Sequence, residues 1–209
     1  MAPDIHSENN HNFTPVSNTV QKKTGPRKIQ RIYEAVTEEE FIKFLTVTKK
    51  PHHRVYFTGV YGCGIRPSEL TNLQPEDINF KDNKIMIRQG KGSKDRMVNV
   101  PKHWKAKDVQ YFPMKITVRA LEAVFLRNSF KAGINKIIGY YKTKNGKEVP
   151  LYRLHVHSLR HSFATRSLAK GLPLHYLQAL MGHANLATTS RYTKANPIDA
   201  IQDIIDRGI

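Results

Sequence analysis

Two predicted helices meet at residues 62–70, which read GCGIRPSEL. The first runs from about His52 to Tyr61 and stops at the glycine-rich start of this stretch, since glycine is common where helices end. The second restarts at Pro67, because proline suits the first position of a helix. Arg66 is therefore predicted at a helix N-terminus, on the junction between the two helices.

The chain before this junction divides into a tail and a helix. Residues 37–40 form a capping-box pattern that opens an amphipathic helix with Phe41 and Phe44 on one side. Residues 1–36 are rich in polar and basic residues, with apolar residues too scattered to build a packed face. We therefore expect a disordered polar tail over residues 1–36 and an ordered domain over residues 37–209.

The chain after the junction alternates short strand patterns with helical ones. Strands bounded by turn residues are predicted over Asp77–Phe80, Lys84–Gln89 and Arg96–Val100. Helical patterns cover Lys115–Ala132, short pieces after His157, and a final segment from about residue 196 to 207. A basic stretch, Gly139–Leu154, is predicted as a hairpin or loop. The fold class is therefore mainly α with a small three-stranded antiparallel sheet (α+β), with no internal domain boundary.

Composition narrows the setting in which this domain works. The chain has 209 residues, of which 39% are hydrophobic and 9% aromatic, enough for a sizeable core. One cysteine excludes an internal disulfide framework and fits a reducing, intracellular setting. No apolar run approaches the roughly 18 residues of a membrane span. We expect a cytoplasmic, nucleoid-associated protein without membrane contact.

The formal net charge of +17 indicates a polyanionic partner, and nucleic acid is the natural candidate. Residues 81–107 and 115–153 each contain nine Lys or Arg against two acidic residues, whereas residues 195–209 contain three Asp against one Arg. The basic stretches could be a solvated surface or a groove that neutralises phosphates. No helix-turn-helix or zinc-finger signature provides base-specific contacts.

Three motifs in the C-terminal third contain residue types used in phosphoryl transfer: HSLRH at residues 157–161, LMGH at residues 180–183 and TTSRY at residues 188–192. On a helix, His157 and Arg160 lie one turn apart on the same face, where an imidazole and a guanidinium can clamp an oxyanion. Gly182 ends a helix, so His183 is expected in a loop. Tyr192 follows nine residues later.

Attack of a tyrosine oxygen on a phosphodiester fits these residues. Arginines neutralise the non-bridging oxygens, histidine shares protons, and a lysine can protonate the leaving oxygen. A metal cluster of His155, His157, His161 and His183 is the alternative. No acidic or cysteine ligand joins these histidines, so we expect no metal and no other cofactor.

The motifs occur in the order found in the tyrosine recombinase (phage integrase, Xer-like) family, and residues from about Thr37 to Ile205 resemble its catalytic domain. The resemblance implies six catalytic residues: Arg66, Lys91, His157, Arg160, His183 and Tyr192. It also implies that Glu69 supports the first arginine. Lys91 lies in a turn between two strands, GKGSKDR, which Lys94 shares, so Lys94 is the alternative catalytic lysine.

The resemblance also implies the reaction. Tyr192 would attack a scissile phosphate of double-stranded DNA, leaving a 3′-phosphotyrosyl link and a 5′-hydroxyl that can be rejoined without metal or ATP. The two catalytic arginines and His183 would stabilise the transition-state charge, Lys91 would protonate the leaving oxygen, and His157 would assist proton transfer. Further DNA contacts are predicted at basic residues near the site: Lys94, Arg96, Lys142, Lys144 and Lys147.

Family members work as tetramers on two DNA sites and pass a C-terminal segment to a neighbour. In this chain the final helix carries an apolar stripe, Ile198, Ile201, Ile204 and Ile205. Such a stripe fits docking on another copy, which makes a homo-oligomer the expected partner besides DNA. The alternative is that the stripe packs back on its own domain, and both alternatives stay open at this stage.

Two rival functions use similar residues. A type IB topoisomerase would relax supercoils, but histidine at position 157 and the spacing from His183 to Tyr192 favour a recombinase. A DNA-binding accessory factor would have a degenerate site, whereas all six positions are filled here. Most of the family also has an N-terminal helical domain that clamps DNA, and residues 1–36 are too few and too polar for it. We therefore expect either a short member, such as the fimbrial-switch invertases, or a catalytic-domain form.

Overall fold

The helices and strands lie within residues 34–88, 95–182 and 197–208, which are the residues that the computed structural model describes. The helices are α1 (Glu38–Val47), α2 (Pro51–Cys63), α3 (Pro67–Asn72), α4 (Val118–Lys131), α5 (Val156–Ala169), α6 (Leu174–Met181) and α7 (Pro197–Asp206). The strands are β1 (Ile78–Asn79), β2 (Lys84–Ile87), β3 (Arg96–Asn99), β4 (Ile137–Lys142) and β5 (Glu148–Tyr152). The predicted class, mainly α with a three-stranded antiparallel sheet, is confirmed.

Helix α1 begins at the predicted capping box. The Thr37 hydroxyl accepts a hydrogen bond from the Glu40 backbone N–H at 3.2 Å, and the Glu40 carboxylate accepts one from the Thr37 N–H at 3.0 Å. The apolar face of α1 then packs Phe44 against Phe57 of α2 and Phe125 of α4, with ring centroids 5.0 and 5.1 Å apart. These aromatic contacts join three helices into one core.

The packed region starts before the predicted cap. Val36 is 1% exposed, and its backbone N–H donates to the Ser162 hydroxyl of α5 at 2.6 Å. The structure describes nothing before Glu34, so the predicted disordered tail lies outside the described residues for all but its last three positions. All the elements above belong to one compact unit, which lies within Ile32–Ile209.

The sheet is an antiparallel meander in the order β1-β2-β3. Ile85 on β2 pairs with Val98 on β3, and both side chains are buried. Each strand is shorter than its predicted range, but the order and direction are as expected. The turn between β2 and β3, residues 89–94, lies outside the described residues.

The basic stretch Gly139–Leu154, predicted as a hairpin or a loop, forms the hairpin of β4 and β5. It is a second, two-stranded sheet beyond the one predicted. Asn135 holds its base, because its side chain donates to the Leu154 carbonyl at 3.1 Å and accepts from the Leu154 N–H at 2.9 Å. The tip of the hairpin is exposed to solvent.

The C-terminal helices pack around α2 and the sheet. Helix α5 lies against α2, and α7 lies against α6 and β3. Ile201 and Ile204 of α7 are 3% and 1% exposed, whereas Ile205 is 47% exposed. Of the two alternatives for the isoleucine stripe, this structure therefore shows packing on the helix's own domain.

Two features bear on the setting of the protein. Cys63 is buried, and its thiol donates to the Asn99 carbonyl at 2.9 Å. Burial raises the pKa of this thiol well above its usual range, so it is held in the uncharged form. Over the described ranges, the helices are too short or too polar to cross a bilayer.

Candidate active site

Arg66 lies where the sequence predicts it, immediately before α3. Its backbone N–H donates to the Glu69 carboxylate at 2.9 Å, and its guanidinium Nη1 donates to the same carboxylate at 2.6 Å. The first backbone N–H groups of a helix lack helical partners, so a glutamate three residues on can satisfy the one at the cap. Glu69 thus fixes both the backbone and the side chain of Arg66.

A second arginine shares this carboxylate. Arg96, the first residue of β3, donates from Nη1 and Nη2 to the two oxygens of Glu69 at 2.9 and 2.6 Å. The Arg96 side chain is 4% exposed and that of Glu69 is 11% exposed. Burial by itself raises the pKa of Glu69, but the hydrogen bonds and charge of Arg96, with those of Arg66, outweigh it and hold the pKa below its usual range. Glu69 is therefore ionised at neutral pH.

The third arginine of the cluster is Arg160 on α5, which is 6% exposed. Its guanidinium donates to the carbonyls of Gly64 and Met181. Burial, together with the positive charges of Arg66 and Arg96, lowers the pKa of Arg160 to about 9, and the charge of Glu69 opposes the shift. Positive charge is therefore crowded at this point of the domain.

The three guanidinium groups also converge on one helix end. The carbonyl oxygens of residues 180–182, at the C-terminus of α6, accept hydrogen bonds from the three arginines in turn. Arg96 Nε donates to the first at 2.7 Å, Arg160 Nη2 to the second at 2.5 Å, and Arg66 Nη2 to the third. The last carbonyls of a helix lack helical partners and carry partial negative charge, so cations stabilise them.

His157 lies one turn before Arg160 on α5, as predicted. Partial desolvation of its ring lowers its pKa below the ordinary value; the charge of Glu122 opposes this shift and that of Arg160 adds to it. The imidazole is therefore largely neutral at pH 7 and able to accept a proton. A neutral ring also avoids placing a second full charge beside the neighbouring guanidinium.

Four predicted site residues lie outside the described residues: Lys91, Lys94, His183 and Tyr192. Their roles stay predictions. The covalent chain nevertheless links them to the cluster, because His183 directly follows Gly182 and the Lys91 turn rejoins the described chain just before Arg96. The structure thus brings together Arg66, Glu69 and Arg160, with His157 beside them on α5.

The predicted DNA contacts divide into two groups. Lys142, Lys144 and Lys147 are exposed on the hairpin, with Lys142 Nζ 4.0 Å from the Glu148 carboxylate. Arg96 is different: it is buried, and its guanidinium is committed to Glu69 and to a carbonyl of α6. A buried guanidinium with these partners does not favour the predicted contact with DNA. Arg96 belongs to the arginine cluster instead.

The sequence contained a signal for the burial of Arg96. Side chains two residues apart in a strand point to the same face, and Arg96 precedes the buried Val98 by two residues. Period-two alternation therefore places Arg96 on the inner face of β3. The buried partner Glu69 belongs to α3, so the pairing itself is a tertiary contact.

In the described part of the chain, no three His, Cys, Asp or Glu side chains form a group suited to a metal ion. The arginine cluster is instead suited to an anion. Among the described residues of this cluster, two guanidinium groups bond one carboxylate, and the third guanidinium, that of Arg160, is near enough for the charges to interact. Each guanidinium presents five N–H donors in one plane, a geometry that suits phosphate oxygens.

Comparison with known proteins agrees with this fold. The model of the Phage integrase family matches residues 26–198. The chain belongs to the phage integrase family. Tyrosine recombinase XerA of Pyrococcus horikoshii is 33% identical over 183 residues, which cover 87% of this chain and 64% of XerA. This member of the family thus spans slightly less than two thirds of that relative.

Solved structures share the fold. The integrase from mycobacterium phage Brujita has a TM-score of 0.62 and 17% identity, over 87% of this chain and 60% of that one. XerH site-specific recombinase, bound to its palindromic difH substrate in a post-cleavage complex, has a TM-score of 0.52 and 26% identity. This match covers 76% of this chain and 48% of the XerH chain. The predicted recombinase catalytic-domain fold is confirmed.

Proposed function

We propose that this protein is a tyrosine site-specific recombinase that cleaves and rejoins strands of double-stranded DNA. The observation that carries the proposal is the arginine cluster, in which Arg66 and Arg96 share the carboxylate of Glu69 and the buried Arg160 lies close enough to feel the charges of all three. Burying this much positive charge is unfavourable unless an anion can compensate it. A scissile phosphate would supply that anion at Arg66 and Arg160.

Membership of the family supports the chemistry that follows. Tyr192 attacks the phosphorus, and a bond forms between its oxygen and phosphorus as the bond from phosphorus to the 5′-oxygen breaks. His157, neutral at pH 7, helps remove the tyrosine proton, and Lys91 gives a proton to the leaving 5′-oxygen. The products are a 3′-phosphotyrosyl link and a free 5′-hydroxyl.

The charge that develops on the non-bridging oxygens is stabilised by Arg66, Arg160 and His183. Positioned cations of this kind account for much of the acceleration of phosphoryl transfer. The covalent link conserves the energy of the phosphodiester. A 5′-hydroxyl from another duplex can therefore reverse the step and join the strands, with no metal or ATP in the proposed cycle.

Duplex DNA would be held by the basic middle of the chain. Lys142, Lys144 and Lys147 are exposed on the hairpin, where they can approach phosphates and release counterions. XerH, a relative in fold, is known in complex with a DNA substrate. The proposed partner of this protein is likewise double-stranded DNA.

Strand exchange between two duplexes requires several subunits, and we propose a tetramer on two DNA sites. Helix α7 is the proposed connection, through release from its own domain and docking on a neighbour. Ile201 and Ile204 already show that an α6 and β3 surface accepts this helix in one chain. Identical chains offer identical surfaces, so an exchanged helix would meet the same apolar partners.

The experiment that tests the function uses a nicked suicide duplex, in which cleavage releases a short strand and traps the covalent complex. Wild-type protein should give a covalent protein–DNA band on a denaturing gel, and Tyr192→Phe should give none. Tyr176→Phe, on α6, is the matched control and should keep the band. Absence of a band with wild-type protein at every salt concentration and over a panel of DNA sequences would contradict the proposal.

A two-site recombination assay then separates this activity from supercoil relaxation. Recombinant product that depends on Tyr192 identifies strand exchange. Relaxation of supercoiled plasmid without recombinant product would instead identify a topoisomerase-like activity.

A further inference from the structure

The end of α6 is held by three arginines, and the chain continues from it into the predicted catalytic segment. Residues 180–182 supply three successive carbonyl acceptors, and arginines from α3, β3 and α5 each occupy one. The next residue of the chain is His183, and Tyr192 follows nine residues later. A displacement of this helix end would therefore move the point from which the chain continues to His183.

We propose that Arg96 is a positioning residue, which holds the end of α6 in place for His183 and Tyr192. Its Nε donates to the Leu180 carbonyl, while its two terminal nitrogens donate to the two carboxylate oxygens of Glu69. Arg96 therefore ties α6 to α3 through one rigid, planar group. The catalytic consequence of this tie rests on the function proposed above.

Arg96 differs from the other two arginines because it is not proposed to bind the phosphate. Arg66 and Arg160 also hold α6 carbonyls, but both are the residues proposed to engage a phosphate. Arg66 is partly open, with 33% of its side chain exposed, whereas Arg96 is 4% exposed. When phosphate draws Arg66 and Arg160 toward itself, Arg96 is the contact that still retains the helix end.

The geometry of a guanidinium explains why arginine is needed at position 96. Its planar fork makes a bidentate contact with a carboxylate and leaves Nε to donate in the same plane. A lysine has a single ammonium group, which preserves the charge but cannot span both Glu69 oxygens and the Leu180 carbonyl. Arg96→Lys therefore removes the tie while keeping the charge.

A matched control exists at Arg153, the residue after β5. Its side chain is 18% exposed, it forms ion pairs with Glu34 and Glu40, and it donates to the Ile134 carbonyl. It is thus an arginine of similar chemistry that anchors α1 and the segment before β4 instead of α6. Arg153→Lys therefore shows how exchange and cleavage respond when a partly buried guanidinium elsewhere in the domain is replaced by an ammonium group.

The test has two readouts, made on full-length protein after circular dichroism has shown that each variant is folded. The first is hydrogen–deuterium exchange without DNA. Arg96→Lys should exchange roughly tenfold faster than wild type in peptides that cover the end of α6 and the residues after it, because local opening governs exchange. Peptides from α1 and α4 should be unchanged, and Arg153→Lys should leave α6 unchanged.

The second readout is single-turnover cleavage of the suicide duplex at saturating DNA. Arg96→Lys should cleave roughly 10- to 100-fold more slowly, because small displacements of reacting groups are costly. Its Kd for the duplex should stay within about twofold, since the proposed effect is on positioning. Arg153→Lys should cleave at the wild-type rate.

The outcomes separate this inference from the proposed function. If wild type forms no covalent complex, the function fails, and unchanged exchange in Arg96→Lys would overturn the tie independently. Slower cleavage with unchanged exchange would overturn positioning and indicate direct contact with the substrate. Faster exchange with normal cleavage, or equal losses in Arg153→Lys, would overturn it as well. If Arg96→Lys does not fold, Arg96→Gln, which keeps one donor for the Leu180 carbonyl, is measured in its place.

Discussion

Glu69 is the residue on which the charge balance of the candidate site depends. It is one carboxylate between two guanidinium groups, and a third guanidinium, Arg160, lies close enough for the charges to affect one another. Exposed ion pairs contribute little, but removing one member of a buried pair leaves the other uncompensated. The substitution of Glu69 should therefore affect stability as well as any catalytic role of Arg66.

We predict that Glu69→Gln lowers the free energy of unfolding by about 3 kcal/mol, because Arg96 is left buried without its countercharge. The contribution of Glu69 to the free energy of unfolding should be complete above the pKa that it has in the unfolded chain, about 4.3. It should be lost as the pH falls through the lower pKa that it has in the folded protein. Urea unfolding between pH 3 and pH 7 measures both effects. The variant should lack this acid-dependent loss.

Glu34→Gln is the control, since Glu34 is 53% exposed in its pair with Arg153. It should change the free energy of unfolding by less than about 0.5 kcal/mol. Equal losses in the two variants would contradict a special role for the buried carboxylate.

At the scale of elements, the end of α2 lies close against α5, the helix of Arg160. Gly64 ends the helix with a φ of 63°, and its carbonyl accepts a hydrogen bond from Arg160. A Cβ at this position would lie 2.5 Å from the Phe163 ring of α5. The close approach of α2 and α5 thus requires glycine for both its backbone conformation and its lack of a side chain.

Gly64→Ala should destabilise the fold more than an alanine placed at a second glycine of the same backbone conformation. Gly133 has a φ of 69° and open space where the methyl group of an alanine would lie, so Gly133→Ala isolates the backbone cost of about 1–2 kcal/mol. Gly64→Ala adds a clash with buried Phe163, for which we expect a further cost of about 1–3 kcal/mol.

Thermal and urea unfolding of the two alanine variants measure this difference. Cleavage at saturating DNA should also fall in Gly64→Ala, because α5 bears His157 and Arg160. Equal unfolding free energies for the two variants would show that α5 adjusts freely and would contradict a tight contact between Gly64 and Phe163.

At the scale of the whole molecule, charge is divided between a buried cluster and an exposed basic hairpin. Within the cluster, Arg66 and Arg160 are the residues proposed to hold one phosphate at short range. Lys142, Lys144 and Lys147 project from an exposed hairpin and are suited to many phosphates at longer range. The two groups should therefore affect different steps of the reaction with DNA.

Replacing Lys142, Lys144 and Lys147 together with glutamine should weaken DNA binding. The plot of the logarithm of the association constant against the logarithm of the salt concentration should become less steep, by about 2 to 3. Cleavage at saturating DNA should remain within about twofold of wild type, because the buried cluster is unchanged. Fluorescence anisotropy over a salt series and single-turnover cleavage measure the two quantities.

A second triple variant, Lys43, Lys49 and Lys50 to glutamine, removes the same charge from exposed positions in and after α1. It should reduce the salt slope less than the hairpin variant does. Loss of cleavage at saturation in the hairpin variant would instead assign that segment a part in the chemical step.

Much of the fold was predictable from local patterns. The capping box at Thr37, the glycine stop at Gly64 and proline at position 67 act within one or two turns, so their effects do not depend on the rest of the chain. The hairpin was ambiguous because its residues are largely exposed and lack a strong apolar alternation. Its two strands are stabilised by pairing with each other, and the β-propensity of each segment alone does not predict that pairing.

The order of the motifs, the helix that carries His157 and Arg160, and the basic character of the molecule all follow from the amino-acid sequence without any structure. Tertiary contacts were needed to establish that Arg96 is buried on Glu69, that three arginines meet the end of α6, and that α7 packs on its own domain. Local propensities and motif spacing act over a few residues. The charge compensation and burial that define this site join residues up to 116 positions apart, from Arg66 to Gly182.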